Sequence, residues 1–181
     1  PGLLGNVIAG RIANRLNLGG TNCTVDAACA SSLSAMKMAV SDLLEYRSDM
    51  MIAGGVDADN SPMMYMCFSK TPAFTKGENT RPFDENSGGV MIGEGMGMVI
   101  LKRLEDAKLD GDNIYAILKG IGSSSDGRFK SIYAPRSGGQ AKALRRAYTD
   151  ANVDPMSIGL LEAHGTGTAA GDQAEFEGLK E

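Results

Sequence analysis

Cys29 is the residue of this 181-residue chain whose type and position best suit chemistry. It lies where a strand-like run, residues 22–26, gives way to a helix-like run, residues 30–46. A thiol at a helix N-terminus feels the positive end of the helix dipole, which favours the reactive thiolate. Its neighbours are small, so a substrate carbonyl has room to approach the sulfur. The pattern predicts a nucleophilic cysteine, and an inert buried thiol is the alternative.

His164 is the second candidate, and it is the single histidine of the chain. It follows a predicted strand over 158–163 and lies in a loop whose glycines allow close approach to the backbone. Thr166 and Thr168 in the same loop offer hydroxyl groups. Taken alone, a histidine in such a loop is more often structural than catalytic, and this alternative stays open. A thiol and an imidazole on two strand-end loops supply a covalent mechanism if the loops converge.

The other reactive or adaptable side chains have simpler interpretations. Cys23 and Cys67 are predicted to be small buried residues. The methionine-rich run 63–66 is predicted to be core, with the lining of an acyl tunnel as the alternative. Arg81 and Asp84 are predicted to pair and fix a loop.

A basic cluster and a pair of glycines also stand out. The cluster is predicted to be a solvated helix face, with docking of an acidic carrier as the alternative; it comprises Lys142, Arg145 and Arg146. Gly120 and Gly122 follow a predicted strand, as in a dinucleotide-binding turn. The third glycine of that motif is absent, so we discount a dinucleotide site.

Composition excludes several classes of function. The net charge of −4 argues against binding of nucleic acid as the main function. Three cysteines without a CxxC spacing indicate reduced thiols, and one histidine excludes a multi-histidine metal site, so we expect no metal. No apolar run is long enough to span a bilayer and no signal peptide is visible. These features predict a soluble, cytoplasmic protein.

The two ends of the sequence predict a piece of a longer protein. The chain has no initiator methionine and opens with Pro1 and Gly2. It stops at residues 179–181 while still inside a helical pattern.

Hydrophobic periodicity predicts alternating helices and strands, and hence an α/β fold with helices on both faces of buried strands. Helices are expected over 4–18 and 30–46, with a helical turn and then a loop over 60–81. Two capping pairs, Ser137 with Gln140 and Asp172 with Glu175, are expected to open the last two helices. Strands are expected over 22–26, 49–55, 114–125 and 158–163, with paired strands over 89–102, where Gly93, Gly95 and Gly97 share one closely packed face.

Four motifs, in this order, resemble the β-ketoacyl synthase family of thiolase-like condensing enzymes. They are the nucleophile segment 25–33, Arg-Pro-Phe-Asp at 81–84, Gly-Glu-Gly at 93–95, and Glu-Ala-His-Gly-Thr-Gly-Thr-x-x-Gly-Asp at 162–172. Any one motif is weak, but the ordered set is specific and spans nearly the whole chain. Segments 60–76 and 125–135 are most similar to ketosynthase domains of polyunsaturated fatty acid synthases, which are relatives of iterative polyketide synthases.

The resemblance implies a thiolase-like fold of layers α-β-α-β-α, here incomplete. Residues 1–110 would form most of the N-terminal half and residues 111–181 the start of the C-terminal half. It also implies a homodimer that pairs the strand preceding the nucleophile across a two-fold axis.

The resemblance further implies decarboxylative condensation. Cys29 would take an acyl group from the phosphopantetheine arm of an acyl carrier protein, and a malonyl thioester would supply the attacking enolate. His164 would stabilise the enolate oxygen, and Thr166 and Thr168 would hydrogen-bond the arm. The domain itself would bind no cofactor, because its substrates arrive on the carrier.

The family's second histidine, its lysine and its glycine-rich phenylalanine loop have no counterpart in this chain. We therefore expect the isolated polypeptide to be inactive and to fold poorly, with core surface exposed. Two other functions remain open: a Cys–His thioester hydrolase, and a non-catalytic chain-length partner. Such partners typically lack the nucleophile, so Cys29 counts against the second.

Overall fold

The structure is a computed structural model that describes residues 4–71 and 73–181. Its residues divide into two compact units. Unit one runs to Ala58 and also contains Glu94–Ile117, and unit two consists of Asp59–Gly93 and Leu118–Glu181. The elements in chain order are α1 (Asn6–Leu16), α2 (Ser31–Leu44), β1 (Met50–Asp57), α3 (Pro62–Ser69), β2 (Gly95–Lys102), α4 (Leu104–Leu109), α5 (Ser137–Ala151) and α6 (Ala169–Lys180), with a short 3-10 turn at Pro155–Ser157.

Unit one is built on an antiparallel ladder. Strand β1 pairs with β2 in a register that runs from Met50 opposite Lys102 to Asp57 opposite Gly95. Helix α2 packs on this ladder, and its first turn approaches so closely that a Cβ at Gly55 would lie 2.9 Å from the Ser32 Cβ. The buried apolar side chains in this unit are few and mostly small: Ala39, Leu43, Ala53 and Ala107. Small residues therefore set the distance between α2 and the strands.

Arg103 stabilises the C-terminal end of α2 through hydrogen bonds. Its guanidinium donates to the carbonyl oxygens of Leu43 (2.9 Å) and Ser48 (2.7 Å). It also pairs with Asp106 at 2.5 Å and lies over the Tyr46 ring, 4.5 Å from its centroid. The last carbonyls of a helix have no partner within the helix, so a planar cation with several donors stabilises that end.

Unit two contains α3, α5 and α6, and α5 packs against α6. A Cβ at Gly178 of α6 would lie 3.0 Å from the Ser137 oxygen of α5. A Cβ at Gly122 would lie 2.0 Å from the Ala143 oxygen, and one at Gly120 would lie 2.4 Å from the Ala151 nitrogen. These two glycines therefore allow the chain to pass close to the α5 backbone, which gives them a packing role.

Several predicted elements are confirmed. Helices α1 and α2 lie within the predicted ranges, β1 covers most of the predicted 49–55 strand, and α3 with its following loop occupies the 60–81 region apart from Pro72, which is outside the described residues. Pro1 and Gly2, at the predicted cut end, also lie outside them. The final helix is present as α6.

Three predicted strands, at 22–26, 114–125 and 158–163, are wrong in this chain. A strand is defined by a ladder of backbone hydrogen bonds, and no described segment forms a ladder with any of these three. Several of their apolar side chains are exposed, among them Tyr115 (93%) and Leu160 (88%). The predicted pair of strands over 89–102 is a single strand, β2, whose partner is β1.

Predictions about packing also need correction. No described atom lies within 4 Å of a Cβ built at Gly93, Gly95 or Gly97, so the close packing predicted for that face is absent here. Cys23 and Cys67 are exposed, as are Met63 (71%) and Met66 (63%), because the small core of the described residues does not reach them. None of the described helices is long and apolar enough to cross a bilayer.

Substitution of Gly54 tests the tightness of the ladder. A Cβ at Gly54 would lie 2.0 Å from the Gly97 oxygen and 2.8 Å from the Met98 Cα, both backbone atoms. We expect Gly54→Ala to lower the free energy of unfolding by about 1–3 kcal/mol, as overpacking does. Gly97→Ala on the partner strand is the control, because its Cβ would meet no described atom within 4 Å. Both variants are made in the intact protein, because the isolated polypeptide is expected to fold poorly, and equal unfolding midpoints in urea would contradict this packing.

Candidate active site

Cys29 lies in unit one on a sharp turn between the segment that follows α1 and the start of α2. The preceding residue, Ala28, has φ = +50°, a left-handed conformation that costs a non-glycine residue of order 1–3 kcal/mol. Ala30 is the N-cap of α2 and supplies no side-chain cap. The thiol residue is exposed. The turn therefore presents Cys29 just before the first turn of the helix, as the sequence predicted.

Two side chains hold this turn in its strained shape. The Ala28 N–H donates to Asp26 Oδ1 at 3.0 Å. Ser31 Oγ accepts from the Ala27 N–H at 2.9 Å and donates to the Ala28 oxygen at 2.6 Å. These contacts offset the strain at Ala28. The sequence feature that corresponds to this arrangement is Asp26, whose carboxylate forms an Asx-turn with the N–H two residues later. Sequence analysis did not identify it.

The backbone N–H of Cys29 takes no part in this hydrogen-bond network. Within residues 4–71 and 73–181, its neighbours at 27, 28, 30 and 31 all donate hydrogen bonds, whereas the Cys29 N–H donates none. An N–H beside a nucleophilic sulfur suits a carbonyl oxygen that becomes negative during attack. The segment leading to this turn is itself tied to α1, because Thr24 Oγ1 donates to the Gly5 oxygen at 2.7 Å.

His164 lies in unit two, and its loop is held by carboxylates of α6. Glu175 accepts hydrogen bonds from the N–H groups of His164 (2.6 Å) and Gly165 (2.9 Å), one on each carboxylate oxygen. The His164 residue is itself exposed. Gly165 and Gly167 have φ values of +55° and +71°, a region that favours glycine. The loop thus fixes the histidine backbone while leaving its imidazole open.

Asp172 is the buried centre of the histidine loop and its surroundings, at 6% exposure. Its carboxylate accepts from the N–H groups of Gly167 (3.0 Å) and Phe83 (2.7 Å) and from Ser87 Oγ (3.1 Å). A further backbone bond joins the Gly89 N–H to the Gly167 oxygen at 2.8 Å. One carboxylate therefore ties the histidine loop to the 81–89 loop.

Thr166 and Thr168 are brought together, with 2.9 Å between their hydroxyl oxygens. Thr168 is also the N-cap of α6, because its hydroxyl accepts from the Gly171 N–H at 3.2 Å. A Cβ at Gly171 would lie 2.5 Å from both hydroxyl oxygens, so the pair requires glycine there.

The capping pairs predicted from sequence are wrong. Asp172 and Glu175 lie inside α6 and hold the loops, while Thr168 caps the helix. Helix α5 has Arg136 at its N-cap position and no side-chain cap, so Ser137 does not fulfil that role. The spacing of Asp172 and Glu175 marks the region where a helix begins, but it does not show which residue is the N-cap.

The predicted Arg81–Asp84 pair is also not formed among the described residues. The N–H and side-chain amide of Asn86 hydrogen-bond the Asp84 carboxylate and hold the pKa of that group below its ordinary value. The single hydroxyl proton of Ser87 is shared between the Arg81 carbonyl and the Asp172 carboxylate. The 81–89 loop is therefore fixed by local hydrogen bonds and by Asp172.

Comparison with known proteins identifies the family. Residues 1–107 match the profile of the beta-ketoacyl synthase N-terminal domain, and residues 115–181 match that of the C-terminal domain. The chain therefore belongs to the beta-ketoacyl synthase family.

Among sequences, it is 53% identical over 180 residues to one component of the polyunsaturated fatty acid synthase of Thraustochytrium sp., a match that covers 99% of this chain and 6% of that protein. It is 40% identical over 170 residues to the polyketide synthase PksN of Bacillus subtilis, a match that covers 94% of this chain and 3% of that protein. The predicted likeness to synthases of these two classes is confirmed.

Solved structures confirm the predicted thiolase-like α/β fold. The ketosynthase from module 6 of the bacillaene synthase of Bacillus subtilis 168 superposes with a TM-score of 0.94 at 37% identity, over 98% of this chain and 32% of that one. The PfaC Keto synthase-Chain length factor gives a TM-score of 0.92 at 42% identity, over 95% of this chain and 19% of that one. The chain thus spans about a third or less of these structures and a small share of the curated relatives.

Removal of the Ser31 hydroxyl tests the cysteine turn. We expect Ser31→Ala to slow alkylation of Cys29 by iodoacetamide by up to about tenfold, since each hydrogen bond contributes about 1 kcal/mol to the shape of the turn. Peptide mass spectrometry gives the rate, and exposed Cys23 and Cys67 serve as internal references. Ser34→Ala, on the same helix, is the control. A Ser31→Ala rate equal to that of the control would show that the hydroxyl does not shape the turn.

Replacement of Asp172 tests the histidine loop. An amide at this position keeps one acceptor but places an NH2 group against an N–H or hydroxyl donor. We expect Asp172→Asn to lower the free energy of unfolding by about 1.5–3 kcal/mol, the value of hydrogen bonds to a charged group. The control is Glu177→Gln, an exposed carboxylate on the same helix. If the two variants of the intact synthase unfold at the same denaturant concentration, Asp172 does not hold these loops.

Proposed function

We propose that the chain supplies the nucleophile and one histidine of a β-ketoacyl-[acyl carrier protein] synthase, an acyltransferase that joins an acyl group to a malonyl-derived unit. The main support for this proposal is the strained turn at Cys29, which has an exposed thiol and a backbone N–H with no hydrogen-bond acceptor among the described residues. The chain that contains this turn belongs to the beta-ketoacyl synthase family. The proposal concerns the intact synthase, because the chain spans only part of its relatives.

The first step is acyl transfer to the thiol. The Cys29 thiolate attacks the carbonyl carbon of an acyl thioester carried on the phosphopantetheine arm. A new carbon–sulfur bond forms, the bond to the arm's sulfur breaks, and that sulfur leaves as a thiolate that takes up a proton. The Cys29 N–H supports the oxyanion during attack as one donor of the oxyanion hole.

The second step is decarboxylative condensation. Loss of CO2 from a malonyl thioester leaves the electrons of the broken carbon–carbon bond in an enolate. His164 hydrogen-bonds the thioester oxygen where this charge develops. The enolate carbon then attacks the Cys29 thioester, a new carbon–carbon bond forms and Cys29 leaves as a thiolate. The product is a β-ketoacyl thioester that is two carbons longer.

The threonine pair suits the pantetheine arm. Each hydroxyl has one proton to donate, and one of the two is used between Thr166 and Thr168. The other hydroxyl proton remains for a ligand, and an amide carbonyl of the arm is the acceptor that we assign to it. The arm belongs to the carrier, so the domain itself needs no resident cofactor.

Assembly follows the same family expectation. The family resemblance implies a homodimer that pairs segment 22–26 with its counterpart in a second copy across a two-fold axis. The division of the ketosynthase near residue 110 remains a prediction of the same kind.

Two variants of the intact synthase test the reaction. Cys29→Ala should abolish the mass increase that an acyl-carrier thioester leaves on the Cys29 peptide. His164→Ala should retain this acylation, but the rate of CO2 release from malonyl-carrier should fall by about 100-fold or more, as it does when one oxyanion donor is lost. Ser34→Ala is the control for both.

Hydrolysis and condensation give different products in this experiment. A condensing enzyme holds a stable acyl group on Cys29 until malonyl-carrier is added. Rapid release of free acid in water, with no β-keto product, would instead establish a thioester hydrolase. Acylation that persists in Cys29→Ala would remove the assigned nucleophile.

A further inference from the structure

The turn at residues 81–84 of unit two has an unusual third residue. The Asp84 N–H donates to the Arg81 oxygen at 3.3 Å and closes the four-residue turn. Pro82 is its second residue, and Phe83 at the third position has φ = +60°. Proline followed by a residue with positive φ is typical of a type II turn, which favours glycine at the third position. A bulky phenylalanine in this conformation is an outlier.

Burial of the Phe83 ring does not explain this conformation. The residue is 47% exposed, so it gains only part of the hydrophobic stabilisation of a core phenylalanine, and the left-handed backbone opposes that gain. The conformation is held from outside, because the Phe83 N–H donates to the buried Asp172 carboxylate at 2.7 Å. Residues that their surroundings keep in a strained conformation cluster at functional sites. The strain at Phe83 therefore indicates a function for its side chain.

Part of the Phe83 ring faces the histidine loop. A Cβ built at Gly165 would lie 3.3 Å from the Pro82 Cβ and 3.7 Å from Phe83 Cε2. One built at Gly167 would lie 3.4 Å from the Arg81 nitrogen. The histidine loop therefore runs directly against the turn, and Pro82 and Phe83 form an apolar wall beside Gly165.

Gly165 is thus held on two sides. Glu175 accepts its N–H at 2.9 Å and also accepts the His164 N–H at 2.6 Å. On the other side, the wall of Pro82 and Phe83 limits movement of the Gly165 α-carbon. Glycine has no side chain to restrict its own backbone, so contacts from outside supply the restriction. The His164 imidazole is attached one residue earlier, so its position depends on how Gly165 is held.

We propose that Phe83 is a positioning residue for His164. Its ring holds the histidine loop in place through Gly165, which directs the imidazole to the thioester oxygen as the enolate forms. Such placement matters, because a displacement of about 1 Å lowers a catalysed rate by about 100-fold. This inference rests on the proposed function, which gives His164 its task in CO2 release and gives Phe83 none.

The test measures two reactions of the intact synthase. CO2 release from malonyl-carrier reports the step assigned to His164, and mass spectrometry of the Cys29 peptide reports acylation. We expect Phe83→Ala to slow CO2 release at least about tenfold, because the loop loses the contact that places the imidazole. Acylation of Cys29 should match the wild type, because the turn at Cys29 is held by its own hydrogen bonds.

A double-mutant cycle shows whether the ring acts through the histidine. Phe83→Ala is combined with His164→Ala, and CO2 release is compared among the four proteins. Residues that act as a unit are not additive, so Phe83→Ala should cause no further loss once the imidazole is gone. A ring that only stabilised the fold would lower the rate by the same factor in both backgrounds.

Three further variants separate the ring from the backbone strain. Phe83→Gly removes the ring and relieves the positive φ, so it should unfold at no lower urea concentration than Phe83→Ala yet release CO2 as slowly. Phe83→Tyr keeps the ring and should release CO2 at the wild-type rate. Phe176→Ala is the matched control and should also behave as the wild type. Phe176 is a phenylalanine of the same unit, is 53% exposed and lies within α6.

The remaining outcomes each decide a separate point. Wild-type CO2 release in Phe83→Ala, or an equal loss in both histidine backgrounds, would overturn the positioning role and leave the proposed function standing. A parallel loss of Cys29 acylation would also overturn it, because the substitution would then act on the whole fold. Recovery of CO2 release in Phe83→Gly would assign the effect to strain and overturn the role of the ring. Unchanged CO2 release in His164→Ala alone would overturn the proposed function of that histidine, and the positioning role with it.

Discussion

A single buried carboxylate, Asp172, determines the shape of the histidine loop. A buried charge is costly unless hydrogen-bond donors surround it, and this one accepts from Gly167, Phe83 and Ser87. Those donors belong to two loops far apart in sequence, so satisfying the charge also joins the loops. Glu175, one turn further along α6, fixes the His164 backbone in the same way. Helix α6 thus acts as the rigid support for a glycine-rich loop that has little rigidity of its own.

The turn at Cys29 is also held by hydrogen bonds from neighbouring polar side chains. It is strained at Ala28, and Asp26 and Ser31 hold it by hydrogen bonds to the residues around Cys29. The Cys29 N–H is left for a substrate. In the cysteine turn and in the histidine loop, neighbouring polar groups hold the backbone, and Cys29 and His164 remain exposed. This division explains why substitutions beside the reactive residues are expected to affect reactivity or stability without touching substrate.

The errors of sequence interpretation share a physical origin. Segments 114–125 and 158–163 have the composition of strands, yet composition does not supply the neighbouring backbone that a ladder needs. Cys23 and Cys67 are small and apolar, but a cysteine is buried only where other side chains cover it. Asp172 and Glu175 have the spacing of a capping pair, and the same i, i+3 spacing also places two carboxylates on one helix face. Each of these patterns fits two structures, and contacts between distant residues choose between them.

The sequence alone determined the class of fold, the order of the main helices and the four family motifs, because these depend on local periodicity and on residue identity. It also singled out Cys29, His164, Thr166 and Thr168, whose residue types permit the chemistry. Only the tertiary structure decided how these groups are held. It determines which carboxylate binds which loop, which residue caps α6, and which N–H near Cys29 makes no hydrogen bond. Those outcomes depend on hydrogen bonds across as many as 89 positions of the chain, and local sequence carries no record of them.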